Sequence, residues 1–152
     1  MSKIKVFAKS ILIPVIIGEI VGILISKSID YNNLEKPPLS PPSIAFPIVW
    51  TILYILMGVS YGILKTKSLV SSDINKIYYT QLFVNAFWSI LFFTFKLRFF
   101  SFLWILLLDI LVIIMIIKFF RKSKLSGLIQ IPYLLWTLFA SYLNLSIYLL
   151  NK

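Results

Sequence analysis

Residues 99–117, FFSFLWILLLDILVIIMII, hold a single ionisable side chain, Asp109, and run directly into Lys118, Arg121, Lys122 and Lys124. At 1.5 Å per residue a helix of that length spans about 28 Å, close to the thickness of bilayer hydrocarbon. A basic cluster right after such a run marks a membrane surface. The stretch reads as a transmembrane helix. Working outward, similar runs cover about 77–95, 44–64 and 6–26 toward the N-terminus and about 125–150 toward the C-terminus. The expected fold is an all-α integral membrane protein, a five-transmembrane-helix bundle, with residues 1–152 forming a single membrane domain. Composition agrees: the chain is 60% hydrophobic and 13% charged, whereas soluble domains run near 45–50% apolar and about 25% charged.

The net charge of +10 raises the question of nucleic acid, but a nucleic-acid binder gathers Lys and Arg on one solvated surface. Here they flank apolar runs. The expected partner is the lipid bilayer, not nucleic acid. Ten basic residues fall on the N-terminal side (Lys3, Lys5, Lys9, Lys65, Lys67, Lys76, Lys118, Arg121, Lys122, Lys124) and five on the other (Lys27, Lys36, Lys96, Arg98, Lys152). That bias predicts the N-terminus inside and the C-terminus outside, in what reads as a bacterial cell membrane. Ser26-Lys27-Ser28 loosely resembles a signal-peptide cleavage site. Glu19 within the preceding run, and the length of that run, argue against cleavage.

The chain has no cysteine and no histidine. That removes disulfides, thiolate and imidazole metal sites and the Ser/His/Asp arrangement. No metal site, catalytic residue or obligatory cofactor is expected. Residues 28–43, SIDYNNLEKPPLSPPS, contain four prolines, which forbid a regular helix and stiffen the backbone. This segment is expected to be an ordered lid.

Three spans carry stripes more polar than lipid contact requires: Trp50, Tyr54, Met57, Gly58 and Tyr61; Asn85, Trp88, Ser89 and Phe92; and Tyr133, Trp136, Thr137, Ala140, Asn144 and Tyr148. Spacings of three and four put each set on one helix face. An aromatic belt at the headgroup level would explain Trp104. It does not explain Trp136, about 20 Å from the outer end of its helix. Trp50, Trp88 and Asn144 match one another at a depth of about 10 Å beneath the proline segment. An amide in hydrocarbon needs a partner, either a neighbouring helix or a ligand, so Asn85 and Asn144 are expected to face inward. Gly18-x-x-x-Gly22 and Gly58-x-x-x-Gly62 allow close helix approach within the bundle. Glu19 and Asp109 are the carboxylates within the predicted membrane, and are expected to be protonated or structural.

The ordered motifs Leu34-Glu35-Lys36-Pro37 with Pro41-Pro42, Phe46-Pro-Ile-Val-Trp50-Thr-Ile-Leu-Tyr54-Ile-Leu-Met57-Gly58, Gln81-Leu-Phe-Val-Asn85-Ala-Phe-Trp88-Ser89 and Pro132-Tyr133-Leu-Leu-Trp136 through Asn144 resemble those of the TspO/MBR family. This family is also called translocator protein, tryptophan-rich sensory protein or peripheral-type benzodiazepine receptor. The resemblance covers essentially the whole chain. It implies a five-helix bundle, commonly a homodimer, whose cavity binds porphyrins such as protoporphyrin IX and other hydrophobic small molecules. By motif position the expected lining is Tyr31, Pro41, Phe46, Trp50, Tyr54, Asn85, Trp88, Phe92, Trp136, Ala140 and Asn144. The function implied is a membrane receptor acting in sensing, sequestration or transport. A porphyrin-degrading photo-oxidative enzyme and a transmembrane carrier stand as alternatives. Asp30 and Leu39 occupy positions where the family often has Trp, which removes two stacking surfaces from the lid. Asp109 is displaced by about a helical turn from the family's usual acidic position, so that residue's role is not transferred. Residues 145–152 also match a sterol-recognition pattern of low specificity.

Overall fold

The structure, a computed structural model, describes residues 2–152. Among these there is no β-strand. The helices are α1 (Lys3–Ile25), α2 (Ala45–Thr66), α3 (Ser72–Ser89), α4 (Arg98–Lys122), α5 (Lys124–Ile129) and α6 (Ile131–Asn151). Four stretches are long and apolar enough to cross a membrane: Lys3–Ser28, Ala45–Thr66, Arg98–Lys122 and Lys124–Asn151. The third expected span differs. It begins at Ser72 rather than 77, with Asp73, Asn75 and Lys76 in its first turns, and it continues beyond Ser89 as a π-helical turn, Ile90–Thr94.

Local chemistry sets these boundaries. Ser71 caps α3 by accepting from the Ile74 amide at 3.3 Å, and Asp73 favours that positive helix end. Ser123 breaks the last expected span from α4 and caps α5. The break at Gln130 divides that span into α5 and α6, with Pro132 in the first turn of α6, where its missing N–H costs nothing. The π turn widens the helix by one residue, and three consecutive side chains, Leu91, Phe92 and Phe93, are all buried. A regular α turn would point one of them outward.

Helix association in hydrocarbon depends on close packing and internal hydrogen bonds rather than on a hydrophobic drive. Both are visible. α4 packs against α3, α5 and α6, and α1 against α2 and α3. Ile105, Leu108, Val112, Met115 and Phe119 of α4 are all 0% exposed, at spacings that trace one stripe along the helix. Its other faces carry Leu103, Leu106, Ile110, Ile113 and Ile117, open to the surroundings. The glycines of α2 fit against α1. A Cβ on Gly58 would meet the Ile11 backbone and lie 2.6 Å from the Ser10 carbonyl oxygen, while one on Gly62 would press on the Phe7 ring at 2.7 Å. At the end opposite the lid, the Ser60 hydroxyl meets the Ser126 carbonyl at 2.7 Å and the Ser126 hydroxyl meets the Ser60 carbonyl at 2.6 Å, joining α2 to α5. Trp104, partly buried, donates its indole N–H to the Val84 carbonyl of α3 at 2.8 Å.

The lid is fastened along its length. The Tyr31 hydroxyl donates to the Pro41 carbonyl at 2.7 Å, and burial holds that phenol above its usual pKa range, so it remains a donor. Tyr142 donates to the Pro38 carbonyl at 2.8 Å, and Asn151 exchanges hydrogen bonds with the backbone of Glu35 at 3.0 and 2.8 Å. Asp30 accepts from Arg98 Nη2 through both carboxylate oxygens, at 2.8 and 2.9 Å, with Lys96 at 3.6 Å. Leu39 adopts φ 72° and is 84% exposed.

Two outcomes follow from this packing. Gly58→Ala lowers stability by about 1–3 kcal/mol because the clash falls on backbone, whereas Gly22→Ala, with nothing within 4 Å of its added methyl, shifts it little; thermal unfolding in detergent measures both. Asp30→Ala costs about 1–2 kcal/mol, as expected for a partly exposed, charge-assisted pair, and speeds hydrogen exchange across residues 28–43.

Candidate functional site

Beneath the lid a cavity of about 180 Å³ lies between α1 and α2, with Ser89 and Phe93 at its back. Its α2 wall is Phe46, Trp50 and Tyr54, its roof includes Tyr31, and its α1 wall is Gly18, Glu19 and Gly22. Trp50 stands at the centre of an aromatic cluster. Its ring lies 5.8 Å from Tyr54 in a stacked pair, 6.4 Å from Trp88, 6.3 Å from Trp136 and 6.5 Å from Tyr133. Phe46 bridges Trp136 at 5.8 Å to Tyr31 at 4.9 Å, both edge-on. Trp88 stacks on Phe92 at 5.3 Å, and the Arg98 guanidinium sits 5.0 Å from the Phe92 ring centre.

A buried polar chain sets these rings. The Tyr54 hydroxyl donates to Asn85 Oδ1 at 2.5 Å, Asn85 Nδ2 donates to the Tyr133 hydroxyl at 2.7 Å, and Tyr133 donates to Gln81 Oε1 at 2.7 Å. Gln81 Nε2 ends the chain on the Tyr78 carbonyl at 2.9 Å. Asn85, Tyr133 and Gln81 each accept and donate in turn, so α2, α3 and α6 are joined with one consistent direction of proton donation. Fixing Tyr54 in this way fixes the face on which Trp50 stacks. A second clamp centres on Asn144, whose Oδ1 accepts from Trp88 Nε1 at 2.9 Å and whose Nδ2 donates to the Arg98 carbonyl at 2.7 Å.

The structure separates the expected lining residues into groups. Tyr31, Phe46, Trp50 and Tyr54 reach the open cavity. Trp88, Phe92, Ala140 and Asn144 surround a residual space of about 10 Å³ that their side chains nearly fill. Asn85 lies in the polar chain, and Pro41 serves the lid through its carbonyl. Trp136 faces a groove between α2 and α6, and its Nε1 is buried without a hydrogen-bond partner. α2 and α6 are bridged by these rings rather than by close backbone approach.

The α1 wall was not anticipated from sequence. Glu19 gave the one available signal, an ionisable residue in an apolar run. It accepts from the Thr51 hydroxyl at 3.2 Å. Asp109 accepts from Ser141 at 2.6 Å and keeps Oδ1 buried and unpartnered. Among the described residues no group of His, Cys, Asp and Glu could hold a metal. The arrangement offers stacking, apolar contact and a few fixed polar atoms, which are the means of binding rather than of acid–base turnover.

A family model described as the TspO/MBR family matches residues 10–150. The chain is 41% identical over 122 residues to the tryptophan-rich protein TspO of Archaeoglobus fulgidus, covering 80% of this chain and 79% of that protein. It is 32% identical over 134 residues to protein CrtK of Rhodobacter capsulatus, covering 86% and 83%. It is 31% identical over 131 residues to the tryptophan-rich sensory protein of Cereibacter sphaeroides, covering 86% and 82%. With motif order, helical architecture and relatives in agreement, the chain belongs to the TspO/MBR family of membrane proteins.

Proposed function

We propose that this protein is a receptor for flat hydrophobic molecules of the tetrapyrrole class, represented by protoporphyrin IX, which it holds beneath the lid for sensing, sequestration or transport. The observation that carries this reading is the position of Trp50: one ring borders an open cavity and touches four other aromatic rings. Stacking and apolar burial on such a wall supply affinity without a metal or a catalytic pair. Of the expected lining, Tyr31, Phe46, Trp50 and Tyr54 border the open cavity, and the α1 wall completes it. The name of the Cereibacter sphaeroides relative fits the sensing role.

The same reading makes α3 the fifth crossing. Its helical and π-helical residues, 72–94, span about 34 Å, enough to cross roughly 30 Å of hydrocarbon, and its amides Gln81 and Asn85 are buried in the bundle, where polar groups belong in a membrane helix. The bias in basic residues supports an N-terminus inside a bacterial cell membrane and the lid outside. Assembly as a homodimer is part of this reading.

Size constrains the mechanism. About 180 Å³ is below the roughly 300–1,000 Å³ of typical small-molecule sites. A macrocycle therefore enters only as the lid and Trp50 move, and the Asp30–Arg98 pair resists that movement.

Protoporphyrin IX quenches tryptophan fluorescence saturably in detergent under this reading. Trp50→Ala weakens binding by about tenfold, as expected for loss of an aromatic contact worth about 1.5 kcal/mol, and Gly22→Phe blocks it by filling the cavity. Asp30→Ala raises the association rate measured by stopped flow. Absence of saturable quenching in the wild type, or full binding by both Trp50→Ala and Gly22→Phe, overturns the reading.

A further inference from the structure

The cavity holds one acidic side chain, Glu19, and its surroundings leave it poorly satisfied. Thr51 gives it a single, long hydrogen bond of 3.2 Å to Oε1. The ion pairs among the described residues are made by Asp30 and Asp73, with Lys96, Arg98 and Lys118 as the cations, and none involves Glu19. Two of the donors nearby are already engaged. The Tyr31 and Tyr54 hydroxyls, which also border the cavity, donate to Pro41 and Asn85. Glu19 is exposed rather than buried, so its free oxygen is open to a ligand, and it stands on the wall facing the rings of Phe46, Trp50 and Tyr54.

Those two walls are complementary to the same chemistry. A carboxylate attracts an ammonium or N–H donor through a charge-assisted hydrogen bond, and aromatic faces attract cations through their quadrupoles. A carboxylate-bearing ligand would meet repulsion at Glu19. Gly22, one turn further along α1 on the same wall, has open space where a side chain would stand, so the approach to Glu19 is unobstructed from that side. We infer that the cavity selects hydrophobic aromatic amines, with the cationic or N–H edge against Glu19 and the ring system against Trp50. This rests on the binding role proposed above and specifies the charge of the preferred ligand. Acidic side arms of a tetrapyrrole are directed away from the α1 wall, toward the lid.

A matched pair of probes tests it: 1-pyrenemethylamine, an ammonium at neutral pH, and 1-pyrenemethanol, its neutral analogue, each titrated by tryptophan quenching in non-ionic detergent. Wild type binds the amine about tenfold more tightly than the alcohol, the scale of one charge-assisted hydrogen bond. Glu19→Gln brings that ratio close to one. Thr51→Val breaks the same contact between α1 and α2 but leaves the carboxylate, and keeps the preference, which separates charge from structural disturbance. The inference is overturned by a wild-type ratio near one, by a preference that survives Glu19→Gln, or by an equal loss in Thr51→Val. If the alcohol and protoporphyrin IX bind without any amine preference, the selectivity fails and the receptor role stands. If neither pyrene nor protoporphyrin binds saturably, both fall.

Discussion

Polar groups inside a bilayer must find partners within the protein, and this requirement organises the bundle. The hydrogen-bonded chain from Tyr54 through Asn85 and Tyr133 to Gln81 meets it by linking α2, α3 and α6. Packing alone would allow these helices to rotate, since lipid and protein interiors are equally apolar. A buried amide that loses its partner is penalised at once, so the chain fixes helix rotation and with it the orientation of Trp50. The Asn144 clamp does the same for α3, α4 and α6 near the lid. The aromatic wall is thus a consequence of amide placement.

This explains what could be read from sequence. The apolar runs announced the spans, and the sparse polar residues announced their inner faces: Asn85, Trp88 and Asn144 were expected inside and are buried there. α4 shows the opposite case. Apart from Ser101 and Asp109, which are buried, both its faces are apolar, because a helix facing lipid has little polar side to contrast with its core. Nothing in its hydropathy distinguishes Leu108 from Leu107. The π turn at Ile90–Thr94 was equally silent, with no local glycine or proline to mark it, whereas the break at Gln130 had a signal in Pro132, which cannot sit inside a continuous helix without cost. The α1 wall escaped notice because its contribution is mostly absence, a pair of glycines beside one acid.

The lid is held partly by charge. Asp30 reaches Arg98 and Lys96 at the turn into α4, and Leu39 points outward in a left-handed backbone conformation. Such an attachment depends on ionic conditions in a way that ring stacking does not, so the fastening of the lid is sensitive to the salt content of the medium around it.

The two ends of the bundle are fastened differently. Opposite the lid, Ser60 and Ser126 lock α2 to α5 through reciprocal hydroxyl–carbonyl contacts, while nearer the lid α2 and α6 meet only through rings. Hydroxyl pairs in hydrocarbon break all at once, whereas rings can slide over one another. The contact between α2 and α6 on the lid side is accordingly the more deformable of the two, with the hydroxyl-locked end acting as a fixed base.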